Sequence, residues 1–476
     1  MSTVSKTSLK SSLLQLECYF TWTLLKQDVD LNDLEERINH QIEFLTKSKV
    51  RSYNLLSYVC HLNNSNEEAL RNLQKAEEEV KRNHPDEIAR RSLLTWGNCA
   101  WICYYMGRYE EAQKYASKVE NSRKKFSSTP QWKDQLPEIY AEEGWALLKF
   151  GKKYYERAKT CFENALRNEP DNPEFNTGYA ITMYRLENPS LKQSVSINLL
   201  KRAVELDPEN TSLLVLFALK LQDLKQIDEG ERHIEEAMKK TPDLPHVLQY
   251  AAKFYRRKGE LDKAVKLLEK ALTMTPNSAS LHHQLGLCYR SEFFQLKKAT
   301  KYPPREQVDK LIQLSIAHFK TAIEKKITFF HSYMDLANMY VEGKRYEEAE
   351  EIFQKAFQIN ILDDFDKQQF YCCYGNFKHF HLRKYSEAIE DYMEGLKIKK
   401  YSYYFDKCKE SLKKLLEQRI RRGSRDATDF GRLGFVHNLN GEKHEAIRCY
   451  EQALALHPDN EDYASALYEL QLSISS

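Results

Sequence analysis

Basic, amide and aromatic side chains recur at helical spacing along one stretch of this sequence, and together they have the chemistry to hold single-stranded nucleic acid. In PHVLQYAAKFYRRK, steps of three and four residues place on one helix face His246, Gln249, Lys253, Arg256 and Arg257. GYAITMYRL adds Tyr184 and Arg185. Cations neutralise phosphates, amides bond to sugars and base edges, and flat rings stack on bases. This combination predicts a nucleic-acid-binding wall.

Motifs for catalysis are missing from the sequence. It contains no GxxxxGK[ST] phosphate loop, no GxSxG elbow, no HExxH and no DxDxDG calcium loop. Neither Cys99 with Cys103 nor Cys372 with Cys373 has further His or Cys partners at zinc spacing. We therefore expect a binding protein and not an enzyme.

A repeat of 34 residues would position the candidate wall. Prolines 208, 242 and 276 follow one another at that interval, and alanines 203, 237 and 271 keep the same spacing. In YAAKFYRRKGELDKAVKLLEKALTMTP, Ala252 occupies a close helix approach, Gly259 ends the first helix, and Ala264, Leu268 and Ala271 form a packing stripe. This is the pattern of the tetratricopeptide repeat, a helix-turn-helix unit.

The pattern recurs along the whole chain. Clear copies contain Ala158, Phe353 and Tyr450, and weaker copies start near Tyr53, Ser92, Phe175, Thr211, Ser280 and Gln369, which makes about ten repeats. A single unit cannot bury its apolar stripe, so the helix pairs must stack. The sequence predicts an all-α tetratricopeptide superhelix, an α-solenoid, with a positively charged central groove or tunnel.

Departures from the strict period divide the chain into three predicted regions. These are an N-terminal repeat region (1–240), a middle region (241–335) and a C-terminal region (336–476). The middle region contains an insertion at 291–314, which we expect to project into or rim the groove. The C-terminal region contains a basic segment, 397–425, with eleven Lys or Arg against three acidic residues. This segment either meets a polyanion or is a solvated helix.

Composition limits the class of protein. There are 72 basic and 69 acidic residues, giving a net charge of +3, so bulk charge alone does not indicate nucleic-acid binding. A hydrophobic fraction of 42% excludes a disordered chain, and 15 Gly with 13 Pro disfavour turn-dense β architectures. Because no apolar run reaches the ~18 residues of a membrane span and no signal peptide is evident, we expect a cytoplasmic protein with no membrane partner and with reduced, packed cysteines.

Several segments resemble the interferon-induced proteins with tetratricopeptide repeats, and the likeness covers nearly the whole chain. It is carried by LECYFTWTLLK, YNLLSYVCHL, SLLTWGNCAWICYYMGR, EEGWALLKFGKKYYERAK, GYAITMYRL, YAAKFYRRKG and LHHQLGLCYR. Its features are mixed, with ends like the type 5 protein and a middle like types 1 and 1B.

The resemblance implies an antiviral effector that grips the 5′ end of foreign single-stranded RNA. The ends it implies are a 5′-triphosphate or a cap lacking 2′-O-methylation, and the bound RNA would be sequestered from translation. Association with other family members or with a second copy is also implied.

Site residues follow from the resemblance position by position. The 5′-phosphate pocket it implies consists of Arg37, Gln41, Lys149, Tyr155 and Arg185. The apolar end for a cap base consists of Trp145, Leu45 and Ile181. Nucleotide and backbone contacts are assigned to Tyr250, Lys253, Arg256, His283, Gln284, Lys298 and Lys326. Asp33 stands where type 5 has a glutamate near a cation, so a Mg²⁺ or Na⁺ bridging the phosphates is a further candidate; no other cofactor is expected.

Departures from the family pattern lie near the first nucleotides. Type 1 has a tyrosine where this chain has Ser212 and an arginine where it has Gln249, and type 5 has a tyrosine where it has His246. Each change removes stacking or charge, so affinity or cap discrimination is expected to differ. Two structural readings stay open: Trp145 as core packing and Arg185 as a buried structural pair. The alternative function is a scaffold for protein interactions in innate immune signalling, without direct RNA binding.

Overall fold

The computed structural model describes residues 6–44, 49–127, 136–187, 195–359 and 362–475, which form 25 α-helices and no β-strand. No helix in these ranges is long and apolar enough to cross a membrane. The chain separates into two compact units, residues 1–284 and 285–476. The boundary between them falls inside the predicted middle region.

The helices that begin in the first unit are α1 (Lys6–Leu13), α2 (Leu31–Phe44), α3 (Lys49–Leu62), α4 (Asn66–Asn83), α5 (Ile88–Arg91), α6 (Leu93–Tyr105), α7 (Tyr109–Ser127), α8 (Pro137–Phe150), α9 (Tyr155–Asn168), α10 (Pro173–Leu186), α11 (Ser196–Leu206), α12 (Thr211–Asp223), α13 (Ile227–Lys240), α14 (Pro245–Lys258), α15 (Leu261–Met274) and α16 (Ala279–Ala299). Those of the second unit are α17 (Arg305–Lys325), α18 (Phe330–Glu342), α19 (Tyr346–Phe357), α20 (Asp364–Phe377), α21 (Tyr385–Lys397), α22 (Tyr403–Arg421), α23 (Ala427–Leu439), α24 (Lys443–Leu456) and α25 (Glu461–Ser475).

Consecutive helices pack in pairs, as the repeat predicted. In the described ranges the pairs are α3/α4, α6/α7, α8/α9, α10/α11, α12/α13, α14/α15, α18/α19, α20/α21 and α23/α24. The helices α16 and α17 form a further pair, in which Gly286 faces Phe319. The all-α tetratricopeptide architecture with about ten repeats is therefore confirmed.

The helices end where the prolines and the glycine of the repeat predicted. The helices α11, α13 and α15 each end two residues before a proline of the 34-residue series. The alanines at 203, 237 and 271 are fully buried. Gly259 ends α14 at φ +97°, a left-handed conformation that glycine adopts without steric cost.

Phe162 of α9 packs between two glycines of neighbouring helices. Its ring is fully buried, and Cβ atoms added at Gly144 or Gly178 would come within 2.8 Å or 2.2 Å of it. The ring also meets the indole of Trp145 edge-on, with centroids 5.3 Å apart. Because the glycines confine the ring from α8 and α10, this packing sets the spacing of the helices that carry the candidate site.

Substitution of Gly178 by alanine is expected to destabilise the fold by about 1–3 kcal/mol, since the added methyl overpacks the ring and Gly144 blocks its retreat. Urea denaturation followed by circular dichroism measures the loss. A control is Gly343→Ala, where the nearest atom lies 3.4 Å from the added Cβ. Equal midpoints for the two variants would contradict the packing argument.

The insertion at 291–314 lengthens helices. The residues of this insertion extend α16 and α17, and each of these two helices is 21 residues long. Within it Phe293 is buried and Phe294 is 40% exposed, with ring centroids 5.0 Å apart. The insertion therefore contributes one aromatic ring to the core of the second unit and one to its surface.

The basic segment at 397–425 is largely neutralised by neighbouring acids. Eight of its cations make ion pairs: Lys397–Glu394, Lys400–Asp364, Lys407–Glu410, Lys409–Asp406, Lys413–Glu442, Lys414–Glu410, Arg419–Asp429 and Arg421–Glu417. Of the two predicted alternatives, this pairing favours the solvated helix.

Candidate functional site

Three arginines from three helices lie around Lys149, which is in the last turn of α8. Burial, and after it the charges of Arg37, Arg185 and Arg51, together lower the pKa of Lys149 to about 7. A lysine amine has an ordinary pKa near ~10.4, and burial together with like charges nearby accounts for a shift of this size. Arg37 belongs to α2, Arg51 to α3 and Arg185 to α10. The predicted phosphate residues Arg37, Lys149 and Arg185 therefore lie together.

Arg185 is oriented by contacts with both helices of the α8/α9 pair. Its Nη1 donates a hydrogen bond to the carbonyl oxygen of Leu148 at 3.2 Å. Its guanidinium carbon lies 5.6 Å from the ring centroid of Tyr155, a cation–π contact. The side chain is exposed to solvent. The guanidinium group of Arg185 is therefore oriented by a carbonyl oxygen and an aromatic ring, and no carboxylate takes part in these contacts. A guanidinium group held in this way favours an anionic ligand.

Arg37 and Gln41 lie one turn apart on α2. The Nε of Arg37 contacts a carboxylate oxygen of Asp33 at 3.0 Å, and half of the Arg37 side chain is exposed. Gln41 is half-buried. In the described residues no cluster of three His, Cys, Asp or Glu side chains could hold a metal ion. A single carboxylate that already pairs with an arginine is a poor fit for a bound Mg²⁺.

Arg51 belongs to the same cluster, although the sequence analysis did not identify it as a site residue, and ion pairs hold its side chain in place. Its Nε and Nη2 donate to the two carboxylate oxygens of Glu142, each at 3.0 Å, and it also pairs with Glu174. Burial acts to lower the pKa of Arg51, but the two glutamates outweigh it and raise that pKa above its ordinary range. Its guanidinium carbon lies 5.1 Å from the Trp145 ring centroid. The partners are 91 and 123 residues away, so no local pattern marks them.

The apolar residues lie beside this cation cluster. Trp145 packs partly against the core of the first unit, and Ile181 packs against two buried clusters there. The indole Nε1 of Trp145 is buried and has no hydrogen-bond partner in the described residues. Trp145 is thus partly core packing and partly pocket wall. Leu45 lies outside the described residues.

Helix α14 adds a second row of polar groups to the same wall. The rings of His246 and Tyr250 lie 4.5 Å apart. Although water reaches His246, the surrounding protein lowers its pKa to about 4, and Lys149 and Arg185 contribute. Burial raises the pKa of Tyr250, while Arg185 opposes that shift. These interactions place Tyr250 beside the phosphate residues.

Further along α14, Lys253 stands among other cations. Burial, and after it the charges of Arg257 and Arg256, together lower the pKa of Lys253 to about 8, while Asp223 opposes the shift. The Nη1 of Arg257 is paired with Asp223 at 2.9 Å. The predicted nucleotide residues Lys253 and Arg256 are therefore neighbours on one wall.

The remaining predicted residues lie on α16 or directly after the end of α17. His283 is buried and Gln284 is half-buried on α16, and Gln249 of α14 donates to Ser280 at 2.8 Å. In the second unit, Lys298 is exposed near the end of α16, and the Nζ of Lys326 lies 5.8 Å from the Phe329 ring centroid.

Models of the tetratricopeptide repeat match residues 245–288, 330–361 and 430–460. The human protein IFIT1 homolog B is 48% identical over 460 residues, which is 95% of this chain and 97% of the relative. The human antiviral innate immune response effector IFIT1 is 47% identical over 462 residues, again 95% and 97%.

A solved structure of the human IFIT1 dimer with m7Gppp-AAAA matches with a TM-score of 0.87 and 46% identity, covering 95% of this chain and all of that one. The human IFIT1 dimer with PPP-AAAA matches with a TM-score of 0.84 and the same identity, covering 95% and 100%. The chain therefore belongs to the family of interferon-induced proteins with tetratricopeptide repeats.

Proposed function

We propose that this protein is an interferon-induced antiviral effector that binds the 5′ end of foreign single-stranded RNA and withholds that RNA from translation in the cytoplasm. The observation that carries the proposal is the convergence of Arg37, Lys149 and Arg185 at one point of the wall. Two guanidinium groups and a buried amine placed together repel one another, although solvent around Arg37 and Arg185 weakens that repulsion. A bound triphosphate relieves that repulsion.

The groups around the cations suit the rest of an RNA 5′ end. Tyr250 and His246 offer ring faces, and Lys253 with Arg256 offers charge for the following phosphates. The indole of Trp145 borders the cations and offers a stacking face for a cap base. Solved relatives with 46% identity hold m7Gppp-AAAA and PPP-AAAA, which supports both kinds of end as ligands.

Self-association is part of the proposal. The relatives in those structures are dimers. In this chain the last helix, α25, exposes Tyr468, Leu472 and Ile474 by 63%, 53% and 41%. Tyr468 and Leu472 lie four residues apart on one face of α25, and an exposed apolar pair of this kind suits a second copy or another family member. A cation bridging Asp33 and the RNA phosphates remains a prediction that no step of the proposal requires.

Competition between RNA ends tests the proposal. Otherwise identical RNAs carrying a triphosphate, a cap without 2′-O-methylation, a 2′-O-methylated cap or a 5′-hydroxyl are offered to the purified protein, and retention is measured. We expect the triphosphate or unmethylated-cap RNA to be retained at least about tenfold better than the 5′-hydroxyl RNA, since the 5′-hydroxyl end brings no terminal phosphates to the cations. Equal retention of all four would contradict the proposal and favour the protein scaffold.

A further inference from the structure

A cavity of about 300 Å³ lies within the second unit, among residues of α16, α18 and the end of α20. Its lining includes two exposed phenylalanines, Phe294 (40%) and Phe380 (52%), together with the polar side chains of Arg290, Asn338 and Asn376. Ligand pockets in proteins have this mixture of aromatic walls and a few polar groups, at volumes of roughly 300–1,000 Å³. The cavity is therefore at the small end of that range and suits a single ring system.

One extra residue distorts a helix at the edge of this cavity. The two small residues that mark a repeat stand twelve positions apart in the preceding repeat, from Ala337 to Ala349, but thirteen apart from Gly375 to Ala388. The extra residue is accommodated in a π-helical turn, Lys378–Leu382, which continues α20 and is the only such turn in the described residues. Turns of this kind are rare and are frequent at functional sites. The distortion therefore indicates a role for this wall beyond packing.

Each of the two exposed phenylalanine rings is held by a buried ring behind it. Phe380 stacks on the imidazole of His379 with ring centroids 4.0 Å apart, and the Nδ1 of His379 lies 3.4 Å from the hydroxyl oxygen of Tyr392. The buried ring of Phe293 meets Phe294 edge-on with centroids 5.0 Å apart. Because these contacts orient both rings while leaving them exposed, the rings are preformed surfaces for stacking.

The charges around the cavity are paired, which favours an uncharged ligand. Arg290 forms an ion pair with Asp335, and the Nζ of Lys297 lies 2.8 Å from a carboxylate oxygen of Glu342. A nucleobase is flat and uncharged, and several hydrogen-bonding groups surround its edge, whereas the ring of a Phe, Tyr or Trp side chain has at most one. The two asparagine amides of the lining offer both donors and acceptors, so they match a base better than the ring of a peptide.

We propose that this cavity binds one nucleobase of single-stranded RNA, stacked against Phe294 and Phe380. The inference rests on the proposed binding of single-stranded RNA, and it adds a contact that does not use the 5′ phosphates. Stacking on aromatic side chains tolerates every base, so the cavity adds affinity for the strand with little preference for sequence.

Photo-crosslinking of a 5′-hydroxyl RNA to the full-length protein tests this inference. An oligouridine of about ten nucleotides with one 4-thiouridine is irradiated with the protein, and the adducts are mapped by mass spectrometry. We expect adducts on Phe294 or Phe380 at least about fivefold more often than on Phe357, which is 54% exposed on α19 of the same unit, because a stacked base is held against the ring.

Affinity for the same RNA gives a second readout. Phe294→Ala and Phe380→Ala should each weaken binding by about fivefold or more, since each variant removes a stacking surface. Phe357→Ala is the matched control and should bind within about twofold of wild type, because that ring is not part of the cavity lining. Circular dichroism of the three variants verifies that the fold is kept.

Two results would overturn the inference: adducts spread evenly over exposed aromatic residues, or Phe294→Ala and Phe380→Ala binding as tightly as Phe357→Ala. The cavity would then belong to another ligand, such as an aromatic side chain of a peptide. The readouts use no 5′ phosphate. A protein that prefers triphosphate RNA but forms no adduct at the cavity therefore keeps the proposed function and loses this inference, while adducts at the cavity of a protein that ignores RNA ends give the reverse.

Discussion

Replacement of Arg185 by alanine is expected to abolish binding of 5′-triphosphate RNA. The guanidinium is oriented by Leu148 and Tyr155 and stands beside Lys149. Two charge-assisted hydrogen bonds to phosphate contribute about 1.5–3 kcal/mol each, so their loss lowers affinity by about a hundredfold or more. Fluorescence anisotropy with a labelled triphosphate RNA measures the change.

The control for this variant is Arg167→Ala, which removes an exposed arginine near the end of α9 in the same unit. That change should leave affinity within about twofold, because an exposed cation away from the cluster adds only a screened attraction. Arg185→Lys keeps the positive charge but loses the planar guanidinium group with its paired N–H donors, so its affinity for triphosphate RNA should lie between those of wild type and Arg185→Ala. If Arg185→Ala binds as tightly as Arg167→Ala, Arg185 is a structural residue and the phosphate assignment is wrong.

Affinity for triphosphate RNA should fall as the pH rises from 7 to 9. In the free protein the pKa of Lys149 is about 7, so its amine loses its proton across this range. Bound phosphate stabilises the ammonium form, and binding above pH 7 must therefore take up a proton, which costs up to tenfold in affinity per pH unit. Lys253, with a pKa of about 8, adds to the slope above pH 8.

His246, whose pKa of about 4 lies below this window, stays neutral between pH 7 and 9 and does not oppose the effect. Calorimetry in buffers of different ionisation enthalpy measures the protons taken up. Lys149→Met should bind more weakly and lose about one proton of uptake at pH 8. Affinity that does not change between pH 7 and 9 would contradict the role assigned to Lys149.

The fold could be predicted from the sequence because the residues that specify each repeat lie close together along the chain. The 34-residue spacing of proline and alanine placed the helix ends and the buried small residues of α11, α13 and α15 correctly. A repeat packs mainly against its sequence neighbours, so periodicity in one dimension is enough to predict the stacking of helix pairs. The same reasoning located α14 as a wall helix with its cations and amides on one face.

Only part of the candidate site could be predicted from the sequence. Family likeness named Arg37, Lys149 and Arg185, but the ion pairs of Arg51 with Glu142 and Glu174 connect helices that are distant in sequence. The basic segment at 397–425 shows the opposite problem. Its composition indicated a charged face, yet acids such as Asp364 and Glu442, outside the segment, neutralise part of it.

The sequence by itself determined the repeat, the helix boundaries and the kinds of side chain on the wall, since these depend on spacing along one chain. Its near-balanced total of 72 basic and 69 acidic residues said nothing about where those charges meet. Only the tertiary structure decided that Lys149 stands among three arginines without a carboxylate in the described residues, while most cations of 397–425 have one. A pKa depends on burial and on charges within a few ångströms, and those distances exist only after the helices have packed.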